Sequence, residues 1–314
     1  MSLVAVDIGA TNIRVALGDV RSLKVKHSEA TDRLSGPEGV PRQIARMIRS
    51  LGGDPAAIGV GSIGPLDVNK GAIGATPNFA FKHIPIVAPL REEFGVPVQI
   101  MNDCNAAVIG EHLYGAGKRL DNIFYVTLST GLGGGAIVDG KPLSGKDGNA
   151  PEIGHLTLDP DSELVCGCGC RGHWEAYCSG ANIPKYARVL LRDKDPKGGL
   201  LSKMTGSDLG KLTSEMIFDA AKKRDRDAIF VVEQVGKMNA IGFANIVNAF
   251  DSELITVGGS VVLNNPELVI DPIKKDIDKH LINRKPDIRL TPLGADVVLF
   301  GGLAVAGRLV KGRQ

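Results

Sequence analysis

Three of the chain's five cysteines fall within the run Cys166-Gly167-Cys168-Gly169-Cys170-Arg171-Gly172-His173-Trp174-Glu175. Upstream, Pro151-Glu152-Ile153-Gly154-His155 ends in an imidazole, and an acidic loop separates it from the first thiol. His155, Cys166, Cys168 and His173 are four soft-to-borderline donors, the number that a closed tetrahedral Zn²⁺ site takes. Cys170 competes for the fourth position. Cys-x-Cys is poorly shaped for joining two sulfurs, and the Cys-x-x-Cys of a redox pair is absent. Four protein ligands leave no open position, so the expected role is structural. Cys104 and Cys178 read as buried small side chains.

A second chemistry is carried by glycines. In Asp7-Ile8-Gly9-Ala10-Thr11-Asn12 a tight turn presents successive backbone N–H groups, the geometry that cradles phosphate. Asp7 can hold a hydrated Mg²⁺ there, with Thr11 and Asn12 as donors. A Gly-Asx turn also closes hairpins for local reasons alone. Ser129-Thr130-Gly131-Leu132-Gly133-Gly134-Gly135 holds more glycine and hydroxyl than a hairpin needs, with neither a P-loop ending nor a helix behind it. It suits a second phosphate-gripping hairpin around Thr130, Gly131 and Gly133. Gly258 and Gly259, in Thr256-Val257-Gly258-Gly259-Ser260, follow a strand and let backbone pass under a nucleotide, or form an ordinary strand-to-helix turn.

The third chemistry is a carboxylate. Met101-Asn102-Asp103-Cys104-Asn105 stands where a strand meets a helix, the usual place for ligand chemistry in an open α/β sheet. Asp103 can take a proton from a hydroxyl and Asn102 can fix another. Spacing alone favours the plainer role of capping the helix.

These groups need strands and helices to hold them. Residues 3–7 and 13–18 read as a hairpin, and 124–128 with 135–139 as a second of the same kind. Helices are expected over 39–51, from Asn105, over 173–192, and over 213–249 with a break from Lys222 to Asp227. Strands are expected over 57–62, 96–100, 254–257 and 296–300. The alternation gives an α/β class, and the two hairpins suggest a duplicated domain pair divided near Asn102-Asp103-Cys104. Hydrophobic residues make up 43% of the 314, and the net charge of +2 gives no case for a nucleic-acid or membrane partner. No apolar run is long enough to span a bilayer, no signal peptide opens the chain, and the odd cysteine count suits a reducing cytoplasm.

Together, DIGATN, NDCNA, STGLGGG, EIGH and the cysteine cluster closed by Glu175 resemble the ROK family of the sugar kinase/actin/Hsp70 superfamily, from Val4 to about Ala306. The resemblance implies a duplicated RNase-H-like, actin-like ATPase fold of two lobes with a central cleft. The small lobe would be 1–103, completed by a C-terminal helix at about 302–314. The large lobe would be 104–301, carrying the zinc segment 155–173. ATP with Mg²⁺ would lie on Asp7, Gly9, Ala10, Thr11, Asn12, Thr130, Gly131, Gly133, Gly258 and Gly259. Asp103 becomes the base that deprotonates a sugar hydroxyl. Gly64 (in GSIGP), Asn78 (in ATPNF), Asn102, Glu152, His155 and Glu175 become its sugar-binding companions. One departure is His173, where the family pattern has cysteine; imidazole substitutes for thiolate on zinc.

The implied activity is ATP-dependent phosphorylation of a hexose 6-hydroxyl, glucose first, with N-acetylmannosamine as the alternative. A sugar-sensing repressor would need a helix-turn-helix ahead of the first strand, where this sequence has no residues. A chaperone-type member would have no use for EIGH or the cysteines. Homodimers or homotetramers are usual in the family.

Overall fold

A computed structural model describes residues 2–52, 54–76, 79–192 and 199–312. In chain order, strands β1 (Ser2–Ile8), β2 (Asn12–Gly18) and β3 (Leu23–Ala30) lead to helix α1 (Gly39–Ser50), β4 (Pro55–Ser62) and the short β5 (Leu66–Asp67), β6 (Ala72–Ile73) and β7 (Ile84–Pro85). Then come α2 (Val87–Phe94), β8 (Val98–Asn102), α3 (Asp103–Leu113), β9 (Ile123–Leu128), β10 (Leu132–Val138) and β11 (Lys141–Pro142). Helices α4 (Glu175–Cys178), α5 (Ile183–Leu191), α6 (Leu200–Thr205), α7 (Ser214–Lys222) and α8 (Arg226–Phe250) precede β12 (Leu254–Gly258). The chain ends through α9 (Ser260–Asn264), α10 (Pro266–Asp276), β13 (Asp287–Leu290) and α11 (Val297–Lys311).

Two five-stranded sheets share one plan. The first runs β3-β2-β1-β4-β8 and the second β11-β10-β9-β12-β13, so each orders its strands third, second, first, fourth, fifth. In the first, β1 is antiparallel to β2 and parallel to β4. The α/β class and the duplication expected from the sequence are both present. Contacts group the chain into two compact units: Met1–Tyr125 with Gly135–Pro151 and Thr291–Gln314, and Val126–Gly134 with Glu152–Leu290. The division passes through β9 and β10, whereas the sequence reading set it near residue 103.

In the first unit, the period-2 alternation of β1 decides which face carries what. Val4, Val6 and Ile8 join Ile44, Met47, Ile48 and Leu90 in one core under α1 and α2. Leu3 and Ala5 pack with Ala16, Ala57, Leu299, Leu303 and Ala306 under α11. Parity places Asp7 on this second side. The side chains there are small because helix backbone comes close: a Cβ on Gly302 would crowd Ala5 and the Gly59 carbonyl, and one on Gly301 would overlap the backbone of Ala106 in α3. Gly301-Gly302 is therefore a packing device inside a helix. The segment before it, read above as a strand at 296–300, enters α11 at Val297; four apolar residues followed by two glycines do not separate a strand from a buried helix by periodicity.

Two other expectations shift. The helix expected over 173–192 is broken into α4 and α5. The C-terminal helix expected from about 302 begins at Val297. No helix among the described residues is long and apolar enough to cross a membrane.

Candidate functional site

In the first unit, the turn after β1 is tied down through its carbonyl oxygens. Gly9 N donates to Asn12 O at 2.9 Å, and Thr31 N donates to Thr11 O at 2.9 Å. Thr31 Oγ1 donates to Gly9 O at 2.9 Å, and the Arg33 guanidinium to Ala10 O. With its carbonyls occupied, the turn offers its N–H edge, while Thr11 and Asn12 stand exposed. Asp7, just ahead, is buried, and Arg14 of β2 donates Nε to its Oδ2 at 2.9 Å and Nη2 to the same oxygen. Burial pushes the Asp7 carboxyl above its usual value, and Arg14 pulls it back. Lys26 and Arg14 both reach Asp296 from the same sheet, at 2.6 and 3.8 Å.

The β8–α3 junction resolves the roles of the Asn-Asp pair locally. Asn102 has extended backbone and caps α3: its Oδ1 accepts from Cys104 N at 2.9 Å and Asn105 N at 3.3 Å. Its Nδ2 is thereby turned outward, 3.7 Å from where a Cβ on Gly64 would stand. Asp103 opens the helix, its Oδ1 accepting from Cys104 N at 2.8 Å. Capping and ligand chemistry are compatible here, because the cap uses only the oxygen of Asn102. Asn78 lies outside the described residues.

The second unit holds the other glycine turn. Ser129 N donates to Gly131 O at 3.0 Å, while Gly180 N and Ala181 N donate to the Ser129 and Thr130 carbonyls at 2.6 and 3.1 Å. Glu175 Oε2 accepts from Leu132 N at 3.0 Å. Gly133 already belongs to β10. Not every glycine serves this turn: in the first unit, Gly135 is required because a Cβ there would overlap the Cys104 carbonyl. Gly258 ends β12, and Gly259 has φ +93° with Leu128 O 2.4 Å from where a Cβ would stand, a conformation and a contact open only to glycine.

His155, Cys166, Cys168 and His173 converge, their donor atoms all within 4.8 Å of one another. His155 Nδ1 is 3.3 Å from His173 Nδ1 and 3.7 Å from Cys166 Sγ, and Cys168 Sγ is 3.3 Å from His173 Nδ1. Those separations match the edges of about 3.3–3.8 Å that a tetrahedron built on Zn–N and Zn–S bond lengths would have, so the donors present fit zinc. Cys170 lies outside this set: Cys166 N donates to its carbonyl at 2.8 Å, closing a tight turn that leaves the Cys170 thiol exposed.

Between these ligands and Glu175 sits Trp174, wholly buried, its Nε1 donating to Asn239 Oδ1 at 2.9 Å and its ring filling the space left by Gly242 of α8. Sequence reasoning gave Trp174 no part, nor Arg14 and Thr31; only the buried indole's need for a partner could have suggested the first. Glu175 touches the cluster too, since Cys166 Sγ lies 3.4 Å from its Oε1. Glu152 stands at the rim, its side chain 50% exposed and 4.0 Å from His155 Nε2. Partial desolvation holds its carboxyl above the usual value, against the pull of His155 and with Glu175 adding to the rise.

Set beside known proteins, the chain matches the sequence pattern of the ROK family over residues 3–311. It is 37% identical over 301 residues to a glucokinase of Pyrobaculum calidifontis, covering 96% of this chain and 93% of that one. The ROK hexokinase of Thermus thermophilus superposes with a TM-score of 0.83 at 32% identity, covering 99% of this chain and 100% of the other. A ROK glucokinase of Streptomyces griseus, solved with glucose and AMPPNP, gives 0.83 at 31% identity over 98% of this chain and 100% of that one.

Proposed function

The chain belongs to the ROK family, and from that premise we propose that it is an ATP-dependent hexose kinase, transferring the γ-phosphoryl group of ATP to the 6-hydroxyl of glucose or a related hexose. One observation carries the chemistry: Asp103 opens a capped helix at the end of β8, beside an Asn102 amide turned toward Gly64. A carboxylate so placed takes the hydroxyl proton while the freed oxygen attacks phosphorus and ADP leaves. Asn102, Glu152, His155 and Glu175 form the hydroxyl-binding set, with Gly64 and Asn78 completing it. Glu175 also braces the second glycine turn.

Asp7, the Gly9–Asn12 turn, Thr130, Gly131, Gly133, Gly258 and Gly259 are assigned to the nucleotide. Asp7 would hold a hydrated Mg²⁺, which would supply charge neutralisation for the phosphoryl group. His155, Cys166, Cys168 and His173 would hold a structural zinc, which would fix the direction of the His155 ring and leave its other nitrogen for a sugar hydroxyl. A cytoplasmic location and assembly as a homodimer belong to the same reading.

Hexose-dependent ADP formation, measured across glucose, mannose, fructose, N-acetylglucosamine and N-acetylmannosamine, tests it. Glucose is expected to give the highest kcat/KM and a 6-phosphate product by NMR. Turnover indifferent to every sugar would overturn the assignment, and preference for N-acetylmannosamine would move it to the amino sugars.

A further inference from the structure

We propose that Asn105 and Asn149 are positioning residues for the hexose subsite, an inference that rests on the hexose-kinase reading above. The side chain of Asn149 makes a two-point contact with one distant peptide unit. Its Oδ1 accepts from Leu66 N at 2.8 Å, and its Nδ2 donates to Leu66 O at 3.0 Å, with a further bond to Asp147 O at 3.2 Å. These are the bonds that a neighbouring strand residue would make, supplied here by a side chain 83 positions away. They pin the backbone just after Gly64. A Cβ on Gly64 would lie 3.7 Å from Asn102 Nδ2 and 3.7 Å from Asn149 Oδ1, so the Asn149 latch sets how far Gly64 stands from the Asn102 amide.

Asn105 secures the other end of the same segment. It lies in the first turn of α3, 3% exposed, and its Nδ2 donates to Ala150 O at 2.8 Å. Its Oδ1 is buried without a hydrogen bond among the described residues. An amide with one bond made and one acceptor orphaned in the interior contributes little net stability, because the cost of the orphan is of the same order as the gain from the bond. An apolar residue there would remove the orphan but leave the Ala150 carbonyl without this donor. What the amide does, and an apolar residue would not, is fix where the Ala150 carbonyl stands, and the chain reaches Glu152 two residues later. One helical turn thus carries the Asn102 cap, Asp103 and the anchor of the Ala150 backbone.

The test is steady-state kinetics on the full chain with Asn105→Leu, Asn149→Ala and Asn149→Asp, each with a thermal melt. KM for glucose is expected to rise about tenfold or more in Asn105→Leu and Asn149→Ala, with KM for ATP within about twofold of wild type. Asn149→Asp keeps the acceptor for Leu66 N but has no donor for Leu66 O, so an intermediate rise in glucose KM is expected even if the other two variants fold poorly. Glucose KM unchanged in the folded variants would overturn the inference, as would glucose and ATP KM rising in parallel. If wild type itself neither turned over nor bound hexose by calorimetry, the kinase reading would fall and this inference with it. Wild-type turnover with unaltered variants would sink this inference alone.

Discussion

The two glycine turns occupy equivalent places, between the first and second strands of sheets with the same strand order, yet different parts of the chain hold them. The turn at Gly9–Asn12 is braced from beside its own strands: Thr31 and Arg33, which follow β3, donate to its carbonyls, while Arg14 of β2 holds Asp7 just ahead of it. The turn at Ser129–Gly131 is braced from outside its sheet, by Gly180, Ala181 and the carboxylate of Glu175. Those residues follow directly on the cysteine segment, which Trp174 anchors to α8. A duplicated fold has thus acquired an asymmetry. The first turn is held by residues close to its own strands, and the second by a segment that carries the His155, Cys166, Cys168, His173 donor cluster.

The largest effect expected is at the residue outside both turns. Asp103→Asn removes the proposed proton acceptor and should lower turnover by about 10²–10⁴-fold. ADP affinity by calorimetry should stay near wild type; a parallel loss of ADP binding would mean that the start of α3 supports a turn after all. Next in size is metal removal. Stripping zinc with a chelator should raise KM for ATP by about tenfold to a hundredfold, because fixing ligand residues is what orders the loop. Hydrogen exchange should then quicken at residues 129–132 and 180–181 and stay unchanged at 8–12. Equal quickening at both turns would abolish the asymmetry. Glu175→Ala should reproduce the kinetic part with metal content intact.

How much of this was legible in the sequence follows the range of the interactions. The donor set His155, Cys166, Cys168, His173 could be read because ligand types and count suggest a metal site, whereas which thiol joins it depends on convergence in space, where those four donors meet. Asn102 could be read as a cap and Asp103 as a carboxylate at a strand end, both local facts. The braces were hidden because they span distance: Thr31 acts on Gly9 across 22 residues, and Trp174 on Asn239 across 65. Strand β3 was missed because it is an exposed edge, Leu-Lys-Val-Lys-His-Ser-Glu-Ala, with too few buried positions to show alternation. Helix α11 was half misread because Gly301 and Gly302 act through packing on Ala106 and Gly59, which no local pattern reports.

A smaller effect separates the charged brace of the first turn from its neutral one. Arg14→Met leaves the Asp7 carboxylate buried without its partner. The loss should be about 2–3 kcal/mol at neutral pH, below that of a fully buried pair because the Arg14 side chain is 26% exposed. The sign of its pH dependence is fixed by the shifts. Burial raises the Asp7 pKa and Arg14 opposes that rise, so in the variant the carboxyl titrates higher still. The difference between wild type and variant should be widest where Asp7 is ionised and should narrow as pH falls and the carboxyl protonates, seen by chemical denaturation at a series of pH values. A gap that widened toward acid would show that the pair is not what stabilises this strand.

The smallest change tests whether the neutral brace matters to function beyond fold. Thr31→Val keeps the shape and the backbone bond to Thr11 O but deletes the hydroxyl that Gly9 O accepts. The cost in stability should be about 1 kcal/mol, readable as a modest fall in the thermal midpoint. A freed Gly9 carbonyl lets the turn rotate its N–H edge, so KM for ATP should rise a few-fold while KM for glucose stays put. If ATP KM were unmoved, the bonds that remain to the Thr11, Ala10 and Asn12 carbonyls would suffice to fix the turn, and the two hairpins would differ less than their surroundings suggest.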